Sequence, residues 1–185
     1  FCDCRCPMCF NRAVIGQAAS RKTLTFEEID TISRNFTGLH HVNFSGGEPF
    51  LRNDFARIPE VFYRNSGTRI FACPTNSSRP AKIVEAVKTI CSTCPEAWIR
   101  ITQSLDGIGS DHDEIRGRPG LFECVVELNR ELADLRKELS NLSIGIAMVM
   151  SKYNKGKEYA LLEYVYKNLE FDDFGALYVR GDTHD

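Results

Sequence analysis

Three cysteines near the start of the chain carry its most specific chemistry. In the segment FCDCRCPMCF, Cys2, Cys6 and Cys9 stand in a C-x3-C-x2-C spacing. Thiolates are soft ligands that suit iron–sulfur clusters or zinc. Three of them within so short a loop form a tripod for one cluster. A cubane [4Fe–4S] cluster has four irons, so a three-cysteine loop leaves one iron open to a small molecule. Such a site implies chemistry at the metal as well as electron storage. The zinc alternative would use Cys2, Cys4, Cys6 and Cys9 as a four-thiolate set. Closing a tetrahedron with four ligands from one short loop is sterically awkward, because zinc sites usually draw on two separated pairs. Cys4 is the ambiguous member, either a spare thiol beside the metal or an alternative ligand.

Further polar motifs lie along the chain. Gly46-Gly47-Glu48-Pro49 follows an apolar strand-like segment. Its glycines let backbone approach a ligand closely, and its carboxylate can accept hydrogen bonds from an ammonium group. A tight turn with a surface Glu is the plain alternative. Ser104-Leu105-Asp106-Gly107 places a hydroxyl and a carboxylate where a strand ends, although Asp-Gly is also an ordinary turn. Arg116, within His112-Asp113-Glu114-Ile115-Arg116-Gly117, offers a bidentate partner for a carboxylate. Taken alone it is more often a solvated surface residue. Cys91-x2-Cys94 has no partner pair and reads as incidental. Cys73 and Cys124 read as small core residues.

These groups need a scaffold that collects them. Strand-like and helix-like segments alternate. Helices are expected over Thr25–Phe36, with a Thr25/Glu28 capping box, and over Asn53–Arg64, Arg79–Ile90, Leu121–Leu139 and Lys157–Leu169. Strands are expected over His41–Phe44, Thr68–Cys73, Trp98–Gln103, Leu142–Met150 and Phe174–Val179. Alternation of this kind implies right-handed βαβ units and a parallel sheet. The apolar run Leu142–Met150 fits a strand buried on both faces. The polar motifs fall at strand ends: the Gly-Gly-Glu turn, Thr75-Asn76, Ser104/Asp106, Ser151/Asn154 and Arg180-Gly181-Asp182. The carboxyl ends of parallel strands are where such folds build their sites.

Bulk properties bound the rest. The 185 residues suffice for one domain, and the net charge of −2 leaves no basic footprint for nucleic acid. No apolar run approaches the roughly 18 residues of a membrane span. Eight cysteines, four of them crowded into Cys2–Cys9, fit a reduced, cytoplasmic metal protein better than a disulfide scaffold.

The tripod, the Gly-Gly-Glu-Pro turn, Thr75-Asn76, Ser-Leu-Asp-Gly and His-Asp-x-x-Arg-Gly together resemble radical S-adenosylmethionine (SAM) enzymes in order and spacing. The resemblance covers nearly the whole chain and is most like the branch carrying SPASM or twitch cluster extensions. It implies a partial parallel (β/α)6 barrel whose first strand would precede the cysteine loop, with Phe1 as that strand's last residue. Residues 1–185 would then be a radical SAM core domain, a fragment without that first strand or any C-terminal auxiliary-cluster domain. Cys2, Cys6 and Cys9 would ligate a [4Fe–4S] cluster, and SAM would chelate the fourth iron. Gly46, Gly47, Glu48 and Pro49 would hold the methionine ammonium. Ser104 and Arg116 would reach the ribose and carboxylate, with Asn76 and Asp106 beside them. Ile146, Met148 and Val179 would approach the adenine. The implied reaction is reductive cleavage of SAM to a 5′-deoxyadenosyl radical that takes hydrogen from a substrate. That substrate would be a peptide, a protein or a small molecule, and a flavodoxin or ferredoxin would donate the electron. The competing reading is an iron–sulfur or zinc module for binding or electron transfer, without SAM chemistry.

Overall fold

A computed structural model describes residues 1–16 and 23–180 of the chain. Gly181 and Asp182 of the last expected strand-end motif lie outside the described residues. The elements run α1 (Arg12–Gly16), α2 (Phe26–Arg34), β1 (His41–Asn43), α3 (Arg57–Ser66), β2 (Ile70–Thr75), α4 (Pro80–Thr93), β3 (Trp98–Ser104), α5 (Ser110–Arg116), α6 (Leu121–Glu138), β4 (Leu142–Met150), α7 (Glu158–Asn168) and β5 (Asp173–Tyr178). The five strands form one sheet in the order β1-β2-β3-β4-β5, every neighbouring pair parallel. Sequential order with a helix between each strand and the next is the topology of a partial α/β barrel.

Side-chain alternation sorts the two faces of this half-barrel. Phe71 and Cys73 of β2, Ile99 and Ile101 of β3, and Ile144 of β4 join a core with Ile83, Val84, Val87 and Ile90 of α4 and Leu128 and Leu132 of α6. The helical spacing of the α4 residues therefore marks its buried stripe, and each such side chain stabilises the fold by roughly 1.5–3 kcal/mol. Ile146 and Met148 continue the helix-covered face into a second cluster with Phe122, Leu161 and Val165. The alternate positions, Arg100, Thr102 and Ser104 of β3 with Gly145, Ala147 and Val149 of β4, lie on the opposite, concave face. There Arg100 pairs with Asp173 of β5. The pair crosses β4 at Gly145, where an added Cβ would stand 2.7 Å from Asp173 Oδ1.

Several local expectations hold in atomic detail. Thr25 caps α2: its Oγ1 accepts from Glu28 N at 3.2 Å, and its own N–H donates to Glu28 Oε2 at 2.8 Å. Other boundaries move. The helix expected from Asn53 begins at Arg57, because a 3-10 turn over Pro49–Leu51 and the Arg52–Asp54 ion pair occupy the preceding stretch. The strand expected to stop at Cys73 runs to Thr75, through Pro74. Ala72 O accepts from Phe44 N, so residue 74 also faces the β1 side, where β1 has already ended and no N–H is needed. The short α5 follows no apolar period and was not expected. Cys124 is half-exposed, not a core residue, whereas Cys73, Cys91 and Cys94 are buried as free thiols. Among the described residues no helix is long and apolar enough to cross a membrane.

Candidate active site at the cysteine loop

The cysteine loop sits across the carboxyl ends of the strands, clamped from two sides. On one side Phe1 O accepts from Glu48 N at 2.8 Å. Gly47 makes this approach possible, since a Cβ there would lie 1.8 Å from Phe1 O. On the other side Arg5 N donates to Arg116 O at 2.9 Å, and the Cys6 thiol points to the same carbonyl at 3.7 Å. The turns after β1 and after α5 thus position the loop, and the sequence places glycine where the backbones meet.

Glu48 fastens the strand ends to each other. Its Oε1 accepts from Thr75 Oγ1 at 2.9 Å and from Phe50 N at 3.3 Å, and its Oε2 accepts from Asn76 N at 2.6 Å. Burial outweighs these bonds and pushes its pKa up to about 7. Both carboxylate oxygens are therefore committed inside the protein.

Asp106 is fully buried and pairs with Arg116, Oδ2 to Nε at 2.6 Å. Its Oδ1 accepts from Val149 N at 2.7 Å, and its N–H donates to His112 Nδ1 at 3.1 Å. That bond makes His112 Nδ1 an acceptor, and burial drives the imidazole pKa down to about 3, so the ring is neutral. Burial opposes charge on Arg116, but the Asp106 carboxylate together with the Cys6 and Cys4 sulfurs outweighs it and holds the guanidinium pKa above its ordinary value. Asn154 completes the set, donating to Asp106 O at 3.1 Å while its Oδ1 accepts from Ser151 N at 2.8 Å.

A cavity of about 170 Å³ opens beside this pair, lined by Cys6, Met8, Cys9, Phe10, Arg116, Val149, Leu177, Tyr178, Val179 and Arg180. Two of the tripod thiols, the cations Arg116 and Arg180, and apolar strand ends thus share one space. A larger apolar groove of about 750 Å³ runs along the free edge of β1 and meets the cysteine loop only at Phe1. The smaller cavity is where the reactive groups converge.

A sequence model of the Radical SAM superfamily matches residues 1–164. The chain belongs to the Radical SAM superfamily. It is 32% identical over 147 residues to GTP 3′,8-cyclase of Pasteurella multocida (strain Pm70), a match spanning 76% of this chain and 44% of that protein. It is 29% identical over 129 residues to GTP 3′,8-cyclase of Alkaliphilus oremlandii (strain OhILAs), spanning 68% of this chain and 38% of that protein. The chain therefore spans less than half the length of these curated relatives. Among solved structures it superposes on native anSMEcpe with bound AdoMet at TM-score 0.69 and 18% identity, covering 97% of this chain and 49% of that one. On native anSMEcpe with bound AdoMet and the Cp18Cys peptide the TM-score is 0.68 at 17% identity, covering 96% and 48%. These likenesses establish the radical SAM fold, and the family's cofactors are a [4Fe–4S] cluster and SAM.

The residues of this radical SAM chain fit such cofactors. All the loop cysteines are free thiols, Cys6 and Cys9 line the same cavity, and the Cys2 sulfur, in the same loop, faces Cys4 N and the Asn76 amide. A hydrogen bond from the Cys4 thiol lowers the Cys2 pKa to about 6, which favours thiolate on Cys2, and the same bond holds Cys4 protonated. Burial raises the pKa of Cys6, which Arg116 partly counters. The ligating atoms of Cys2, Asp3 and Cys4 lie within 4.8 Å of one another. That cluster contains a carboxylate already engaged by Ser78 and Arg118, so it is a poorer soft-metal site than the thiols alone.

The expected site residues fall into two groups. Gly46, Gly47, Glu48, Pro49, Asn76, Asp106, Arg116 and Val179 surround the cysteine loop or its cavities, and Ser104 ends β3 on the concave face. Ile146 and Met148 point away: their side chains are buried in the helix-covered cluster, and on the same strand Val149 reaches the cavity instead. Asn76 aims its amide at the cysteine loop. Asp3, Ser78 and Arg118 had no signal in the sequence, since a single polar residue shows its partner only once the chain is folded; His112 entered only as part of the motif around Arg116.

Proposed function

We propose that the chain is the catalytic core of a radical SAM enzyme, with Cys2, Cys6 and Cys9 as the cluster ligands and Cys4 outside the ligand set. The observation that carries this reading is the one cavity shared by Cys6, Cys9, Arg116, Val149 and Val179. When bound, the cluster and SAM supply one-electron cleavage of the sulfonium C–S bond and a radical that takes hydrogen from the substrate. The protein's own part is binding and exclusion of water. The backbone of Gly46 and Gly47 takes the ammonium. The terminal nitrogens of Arg116 take the carboxylate, while the Asp106 carboxylate beside Nε balances the buried guanidinium charge. Ser104 takes the ribose hydroxyls, and Val149 and Val179 pack on the adenine. Met8 and Phe10 close the cavity against water. An external one-electron donor, a flavodoxin or ferredoxin, completes the cycle.

The substrate in this reading is a peptide or protein. On the strands of the concave face Arg100 is the cation among the described residues, and Asp173 neutralises it, so the face suits a neutral chain better than a triphosphate. A nucleotide substrate is the second reading, favoured by the sequence likeness to GTP 3′,8-cyclases.

Adding SAM to the anaerobically reconstituted, reduced protein should shift the electron paramagnetic resonance (EPR) signal of the cluster. A cluster present at about four irons per chain whose spectrum ignores SAM would assign the site to structure or electron transfer. Deuterium carried into 5′-deoxyadenosine from a labelled peptide, and not from labelled GTP, would separate the two substrate readings.

A further inference from the structure

Asn76 is held more tightly than a turn residue requires. Its backbone N–H donates to Glu48 Oε2 at 2.6 Å, and its Oδ1 accepts from Ser78 N at 2.9 Å. With the amide oxygen fixed, the NH2 group is aimed at the cysteine loop. It lies 3.1 Å from Cys4 Sγ, 3.7 Å from Cys2 Sγ and 3.0 Å from Asp3 Oδ1. Asp3 is anchored in turn by Ser78 Oγ at 2.9 Å and Arg118 at 3.0 Å. Ser77, the next residue, takes φ of 66°, the one positive φ on a non-glycine among the described residues. Its N–H donates to Thr75 Oγ1 at 3.0 Å, and Gln103 Nε2 donates to its Oγ at 3.2 Å, which holds the strained backbone in place. Strain of this kind persists where the surroundings over-determine it, and it clusters at functional sites. The residue before Ser77, Asn76, presents its amide to the sulfurs.

Resting on the ligand set above, we propose that Asn76 is a positioning residue for the cluster: its side-chain N–H, oriented by Glu48, Ser78 and Asp3, donates to the Cys2 sulfur and raises the reduction potential of the cluster that Cys2 holds. An N–H donor withdraws electron density from a thiolate and stabilises the reduced cluster, one of the levers by which proteins set such potentials. Two hydrogens serve three acceptors here, Asp3 and the sulfurs of Cys2 and Cys4. Removing Cys4 therefore leaves the bond to Cys2 available.

The test is an EPR-monitored redox titration of reconstituted protein. Asn76→Ser, whose side chain is too short to reach the loop, should load iron fully and show a lower midpoint potential than the unsubstituted protein. An unchanged potential in a fully loaded Asn76→Ser protein overturns the proposal, whether or not the enzyme still cleaves SAM. If the variant takes up no cluster, the unsubstituted protein decides. Grown with asparagine labelled with 15N in the side chain, it should show 15N coupling to the reduced cluster in pulsed EPR. Absence of that coupling overturns the proposal and leaves the SAM reading standing.

Discussion

A carboxyl group as buried as that of Glu48 is harder to ionise in the fold than in the unfolded chain. Its pKa rises from an ordinary 4.5 to about 7, so the folded state holds the proton more tightly. The sign follows from linkage: stability from this group is complete below pH 4.5 and is lost as pH rises toward 7, by on the order of 3 kcal/mol. Asp3 acts the other way, because hydrogen bonds and Arg118 overcome burial and lower its pKa. Comparison with Glu48→Gln isolates the Glu48 contribution. Denaturant midpoints measured between pH 5 and 8 should fall more steeply in the unsubstituted protein than in the variant. Asp106 and Arg116 obey a different rule, since each neutralises a charge that the other leaves buried. Asp106→Ala should cost about 3–5 kcal/mol in urea unfolding, whereas the double change Asp106→Leu with Arg116→Met should cost less than the sum of the single changes. The loop cysteines are distinguished by geometry and spacing together. Cys6→Ala should abolish iron uptake and Cys4→Ala should leave it largely intact; equal loss in both, measured as iron per chain, would reverse the ligand assignment.

At the scale of elements, the turns that carry the loop matter more than the helices that cover the sheet. Gly47→Ala places a methyl group into the Phe1 carbonyl, a backbone atom that cannot swing aside. The variant should lose on the order of 1–3 kcal/mol of stability, and its iron content should fall because the loop is displaced. The sequence made most of these elements legible. Apolar spacing in α4, the continuous apolar run of β4 and the Thr25/Glu28 box each have one physical reading, and the structure has it. What stayed hidden has physical reasons too. Seven residues of α5 are mostly polar, and only His112 and Ile115 are buried, which is too few to show a period. Pro74 argued for a strand end because its missing donor is harmless only beside a strand that has already stopped. The face of a strand residue is fixed by register: the family resemblance puts Ile146 and Met148 at the adenine, but one-residue alternation sends Val149 to the cavity and them to the core.

For the molecule as a whole, the open half-barrel explains why motifs scattered along the chain act together. Every strand runs in the same direction, so the Gly-Gly-Glu turn, Thr75-Asn76, Ser104, Asp106 and Ser151/Asn154 all emerge at one rim, and the cysteine loop closes over it. The sequence identified that rim through its residue types. The three-dimensional arrangement added the fastening between them: Glu48 to Asn76, Asp3 to Arg118 and Asp106 to Arg116. The central claim is that this rim cleaves SAM. The most direct measurement is 5′-deoxyadenosine released after the reconstituted, intact protein is reduced with dithionite in the presence of SAM without oxygen. Product from the unsubstituted protein and none from Cys6→Ala is the predicted result. No 5′-deoxyadenosine from protein carrying a complete, reduced cluster would contradict it.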